Sequence, residues 1–223
     1  MIARIILGGF FQGNPETWEN VRAIGSHFGE FRVYVGCPDP SAWSRFPLPF
    51  EGVRTAIPDI SATMLADNPH PDRERYNGQW QNLYQAYRHF CPTFDDGDVV
   101  IKGRNDLVFA GPIGLDPWLV TEGIVYTPAI ECHETVPFDV TRVINDQLIL
   151  GLNRTMSLLF KFPEVYRVRP PRVMSIEEMV RDHLREQSVA IQTFSLRYGL
   201  PGIPPGRNPK NNPADAMFHR TDR

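Results

Sequence analysis

The chain lacks several features that would each decide a functional class. It has only three cysteines, Cys37, Cys91 and Cys132, and no C-x-x-C pair, which excludes a cysteine-rich zinc site and a redox dithiol and leaves ordinary reduced thiols as the expectation. It has no excess of basic residues. With 23 Lys and Arg against 26 Asp and Glu, the formal net charge is −3, so there is no cationic field of the kind that holds nucleic acid, and nucleic acid is not an expected partner. No apolar run approaches the roughly 18 to 20 residues that cross a bilayer. The N-terminal "MIARIILGGFFQG" stops at glycines without a small-residue cleavage site, so a first buried strand is expected there rather than a signal peptide. Neither G-x-G-x-x-G nor a Walker sequence occurs, which speaks against dinucleotide cofactors and P-loop chemistry. The expected location is cytoplasmic, with work at the inner face of the membrane left open.

Globular composition accompanies these absences. Hydrophobic residues make up 42% and charged residues 22% of 223 positions, enough for one substantial core. "ARIILGGF" predicts a buried strand. "NPETWENVRAIGSHFG" then predicts a helix with Asn14 as N-cap, Pro15 at its first position, and Trp18, Val21, Ile24 and Phe28 on one face. "FRVYVGC" follows as a second strand. This β-α-β opening predicts an α/β fold with a mixed, mostly parallel central sheet flanked by helices. "GVRTAIPD" predicts a third short strand, and "DRERYNGQWQNLYQAYRHFC" a helix with Trp80, Leu83, Tyr84 and Tyr87 inward. Val99 to Ile101 predict a central strand, and "EGIVYTPAI" another. "INDQLILGLNRTMSLLFKFPEVY" reads as helix-rich with an interruption at Gly151, and "SIEEMVRDHLREQSVAIQTF" as a helix opened by a Ser175/Glu178 capping box. Residues 1–199 are expected to form one catalytic domain and 200–223, dense in Pro, Gly and Asn, a tail.

Chemistry concentrates where the central strand should end. In "DGDVVIKGRNDLVF" three apolar residues lead into Lys102, Arg104 and Asp106, which would share a face if the strand continued at period two. Ligands of α/β sheets collect beyond the carboxyl ends of the strands, so a carboxylate flanked by two cations there suits a divalent cation or a phosphate. A solvated strand end is the alternative. Asp146 is either the N-cap of a following helix or a general base at its start. Gly8 and Gly9 suit close backbone approach to a phosphate, or simply a turn. Glu131, His133, Glu134 and His219 carry ligand chemistry without a diagnostic spacing, and Gln79 beside Trp80 reads as a surface amide next to the core.

In order along the chain, "ILGGFFQGNPETWENV", "YNGQWQNLYQAYR", "DVVIKGRNDLVF" and "INDQLILGLNRTMSLLF" resemble the WavE-type lipopolysaccharide and capsule-synthesis proteins, a group of glycosyltransferases, over about residues 2 to 190. The resemblance implies a GT-A-like, Rossmann-like fold, a nucleotide-sugar donor, and a glycan or lipid-linked glycan acceptor in surface polysaccharide synthesis. It implies donor binding by Gly8, Gly9, Gln79, Lys102, Arg104 and Asp106, a metal at Asp106, and catalysis by Asp146 as the base for the attacking hydroxyl. The chain departs from the family pattern at two points. Arg104-Asn105-Asp106 stands where GT-A enzymes carry D-x-D, which leaves a divalent cation (Mn or Mg) open, because Lys102 and Arg104 could neutralise a diphosphate without one. Lys102 stands where the family more often has arginine. A non-catalytic nucleotide-sugar or glycan-binding relative is the rival expectation.

Overall fold

The computed structural model describes residues 1–8, 15–37, 50–55, 73–104, 108–109, 111–129, 139–142, 144–164, 176–196 and 198–199. Its elements are β1 (Ala3–Gly8), α1 (Pro15–His27), β2 (Phe31–Cys37), β3 (Phe50–Thr55), α2 (Arg73–Phe90), β4 (Val99–Gly103), β5 (Val108–Phe109), β6 (Ile124–Pro128), β7 (Ile149–Leu152), α3 (Asn153–Phe160), α4 (Ile176–Glu186), β8 (Ala190–Phe194) and β9 (Tyr198–Gly199). Seven strands form one sheet in the order β3-β2-β1-β4-β7-β6-β8, and β5 pairs with β9 apart from it. Six of the seven run the same way and β7 runs against them. The mixed, mostly parallel α/β sheet expected from the β-α-β opening is therefore the architecture found.

Alternation along the buried strands divides the core into two layers. Ala3, Ile5, Leu7, Val99 and Ile101 face α1, where Val21, Ile24 and Phe28 meet them. Ile6, Tyr34, Val100 and Ile149 face Trp80, Leu83, Ala86 and Tyr87 of α2 and Met156, Leu159 and Phe160 of α3. The helix faces expected from spacing in α1 and α2 are the ones buried. α2 lies so close to the sheet that a Cβ on Gly36 would stand inside contact distance of the Asn82 carbonyl; only a glycine fits there.

Two expectations are corrected. "ILGL" forms strand β7 rather than helix, with α3 beginning at Asn153. Its apolar residues and Leu148 before it are buried on both faces, Leu148 and Leu150 toward one layer and Ile149 toward the other, and continuous apolarity of that kind belongs to an interior strand. Asp146 accordingly lies in the turn before β7 and does not open a helix. The helix from Ile176 also ends earlier than its pattern implied. Gln187 and Ser188 close its last turn, Ser188 adopts a left-handed φ of 58°, and the chain returns as β8. Among the described residues, no helix is long and apolar enough to cross a membrane. Residues 200–223 lie outside the described residues.

Candidate active site at the sheet switch point

From β1 the chain winds outward through α1, β2 and β3, then returns on the other side of β1 as β4. This reversal makes the gap between the carboxyl ends of β1 and β4 the topological switch point, the place where open α/β sheets bind ligands. The register there is fixed. Leu7 lies between Val35 and Gly103, and Gly8 lies beside Gly36, so β1 and β4 both end in a glycine, and Gly36 stands one residue before the end of β2. Gly103 hands the chain to Arg104, which is half-buried and lines a small cavity with Leu7, Asn20, Phe109 and Leu148. The cavity has room for about one water, near 10 Å³. Asn20 Oδ1 accepts from the Phe109 amide at 2.9 Å and ties β5 to α1 beside it.

Lys102, two residues before Arg104, points into the opposite layer. It is fully buried. Its ammonium lies 3.9 Å from Asp146 Oδ2 and 4.9 Å from the centre of the Trp80 ring, an ion pair with a cation–π contact beneath it. β7 runs antiparallel to β4 with Lys102 opposite Ile149, so the turn that carries Asp146 begins at the same edge of the sheet. That turn is fastened from β6: Thr127 Oγ1 donates to the Asn145 carbonyl at 2.7 Å and to the Leu148 carbonyl at 3.0 Å. Inside the turn, Asn145 Oδ1 accepts from the Gln147 amide at 3.2 Å. Asp146 keeps a 12% exposed side chain against 1% for Lys102, so of the pair only the carboxylate reaches the edge.

The structure thus brings Gly8, Lys102, Arg104 and Asp146 to one edge of the sheet, although the family resemblance implied Lys102 on the donor side and Asp146 on the acceptor side. The shared face expected for Lys102, Arg104 and Asp106 rested on a continuing strand, and β4 ends at Gly103. Gly9 and Asp106 lie outside the described residues, as do Glu131, His133, Glu134 and His219; Gln79 belongs to α2, and its side chain is outside them too. Thr127 and Asn145, which hold the Asp146 turn, had no mark in the sequence beyond a hydroxyl ahead of Pro128 and an amide beside the aspartate.

No protein-family model matches the chain, and no curated protein matches it. Among solved structures it is similar to a putative glucose-1-phosphate thymidylyltransferase from Bacillus anthracis in complex with a sucrose, at 11% identity and a TM-score of 0.43, covering 100% of this chain and 97% of that one. Likeness at that level carries no statement about activity.

Proposed function

We propose that the chain is a GT-A-like, nucleotide-sugar-dependent glycosyltransferase that extends a glycan or lipid-linked glycan in surface polysaccharide synthesis, as its WavE-type resemblance implies. The observation that carries the reading is the switch-point edge, where the glycine ends of β1 and β4, a half-buried arginine and a carboxylate reach the same edge of the sheet from its two layers. Gly8 lets the backbone approach the donor, and Gly9 and Gln79 complete that side. Arg104 neutralises the diphosphate by charge-assisted hydrogen bonds. Asp146 takes the proton of the acceptor hydroxyl as its oxygen bonds to the anomeric carbon, and the bond from that carbon to the diphosphate breaks with its electron pair leaving on the nucleoside diphosphate.

A divalent cation has no ready ligand set among the described residues. No group of three or more His, Cys, Asp or Glu forms among them, and Asp146 already faces an ammonium. No step above is routed through a metal; Asp106, just beyond Arg104 in the chain, is the residue to which the resemblance gives that role.

The reading is tested with purified protein against nucleoside diphosphates and nucleotide-sugars, with and without Mn or Mg, by thermal shift and by release of free nucleotide. One nucleotide-sugar is expected to stabilise the protein, by about 2.7 kcal/mol at a hundred times its Kd, and to be hydrolysed slowly. Arg104→Ala and Asp106→Ala should weaken binding, and Asp146→Asn should lower turnover by about 10² to 10⁴. Stabilisation by none of these ligands refutes the reading, and a response to a nucleoside triphosphate with a sugar phosphate would assign a nucleotidyltransferase instead.

A further inference from the structure

Resting on that reading, we infer that Lys102 is not a donor ligand but a positioning residue that acts through Asp146, holding the catalytic carboxylate at the edge of the sheet. A lysine that binds a diphosphate must bring its ammonium to the surface where the diphosphate lies, and the Lys102 side chain is 1% exposed with its stem in the core layer between β4 and α2. Reaching a ligand at the edge would take the ammonium off the Trp80 ring and away from Asp146, leaving the carboxylate beside an emptied apolar site. Both contacts hold the ammonium where it is.

What the ammonium does from that position follows from what else holds Asp146. Thr127 fixes the turn through the main-chain carbonyls of Asn145 and Leu148, and Asn145 fixes it through the Gln147 amide. These contacts set the backbone and leave the Asp146 carboxylate to be aimed by a charge. Lys102 is rigid enough to supply that aim, because it belongs to a central strand paired with β1 on one side and β7 on the other. A carboxylate that must accept a proton from an acceptor hydroxyl gains from being held within a few tenths of an ångström of one place. The positive charge on the donor diphosphate then comes from Arg104 and not from the pair Lys102 and Arg104.

Lys102→Met, Asp146→Asn and the double variant separate the possibilities when Kd for the nucleoside diphosphate and kcat for nucleotide-sugar hydrolysis are measured alongside the wild type. Expected are a Kd within twofold of wild type in Lys102→Met, a kcat lowered tenfold or more, and a double variant no slower than Asp146→Asn alone. A Kd raised tenfold or more in Lys102→Met, or in the double variant relative to Asp146→Asn, would make Lys102 a donor ligand and overturn the inference while the transferase reading stands. Wild-type values of both Kd and kcat in Lys102→Met would reduce the pair to a structural contact and overturn it as well. If Lys102→Met fails to fold because it leaves Asp146 without its cation, the double variant, which removes both charges of the pair, still decides through its Kd relative to Asp146→Asn. A wild-type protein that neither binds nor turns over any nucleotide-sugar fails the transferase reading itself, and the inference falls with it.

Discussion

Arg4→Met tests whether the sheet is locked at the edge opposite the site. Arg4 and Asp98, with side chains 6% and 2% exposed, pair at 2.8 Å through Nε and Oδ2. Arg4 also donates from Nη1 to the Tyr34 hydroxyl at 2.7 Å, and its guanidinium lies 5.0 Å from the centre of the Phe94 ring. Asp98 accepts from the Ile2 amide at 2.9 Å and from the Asp95 amide at 3.1 Å. The pair thereby joins the starts of β1 and β4 and ties them to the middle of β2. Methionine fills much of the arginine's volume but strands Asp98, and removing one member of a buried pair costs about 3 to 5 kcal/mol. Two main-chain amides still serve Asp98, so the lower end, about 3 kcal/mol, is expected. With a urea m-value of about 2 kcal/mol/M the unfolding midpoint falls by roughly 1.5 M. The pH dependence carries its own sign. Burial pushes the Asp98 carboxyl up, but the Ile2 amide, the Arg4 guanidinium and the Asp95 amide together hold it below the ordinary range. A depressed folded pKa gives stability that is fully present above the unfolded value of about 3.9 and lost as pH falls through the folded value. Removing Arg4 withdraws part of that depression, so the gap between wild type and variant should be widest near neutrality and narrow below about pH 4. A loss under about 1 kcal/mol at pH 7, or a gap that stays constant down to pH 3, would refute the argument.

Much of this architecture was legible because local signals and the fold agree. α1 declares itself through Pro15 and an apolar face at helical spacing, and that face is the one packed on Ile5 and Leu7. β4 was legible as a central strand because Val99, Val100 and Ile101 leave no polar face to show to solvent. β7 was not, since three apolar residues followed by a glycine suit a buried helix turn as well as a buried strand, and only pairing with β4 and β6 decides between them. The end of α4 was hidden for a different reason: Ser188 takes a left-handed conformation usually given to glycine or asparagine. At the candidate site, a strand end near Lys102 was legible, but the shared face of Lys102 and Arg104 was not, because β4 stops at Gly103 and Lys102 turns toward Trp80 and Asp146. Charge spacing cannot tell a cation bound for a ligand from one bound for a carboxylate 44 positions on, because that meeting depends on β7 running antiparallel beside β4.

Two further substitutions probe how the sheet edge is held. Gly36→Ala should destabilise by about 1 to 3 kcal/mol through overpacking, because the added Cβ would lie 2.9 Å from the Asn82 carbonyl carbon and meets main chain, which cannot rotate away; an unchanged Tm would mean that α2 shifts freely on the sheet. Thr127→Val should cost about 1 to 3 kcal/mol by leaving the buried carbonyls of Asn145 and Leu148 without their donor, which chemical denaturation measures. Its effect on turnover is the more telling one. Valine keeps the shape of the threonine inside a fully buried position, so the core stays filled while the turn that carries Asp146 loses its tie to β6. Nucleotide-sugar hydrolysis should therefore fall in Thr127→Val well below the fraction of protein that remains folded at the assay temperature, with nucleoside diphosphate affinity retained, because Gly8 and Gly103 end β1 and β4, Arg104 follows directly on β4, and none of them depends on that tie. Activity that simply follows the folded fraction would place the turn outside the chemistry, and would remove the reason for assigning Asp146 the proton.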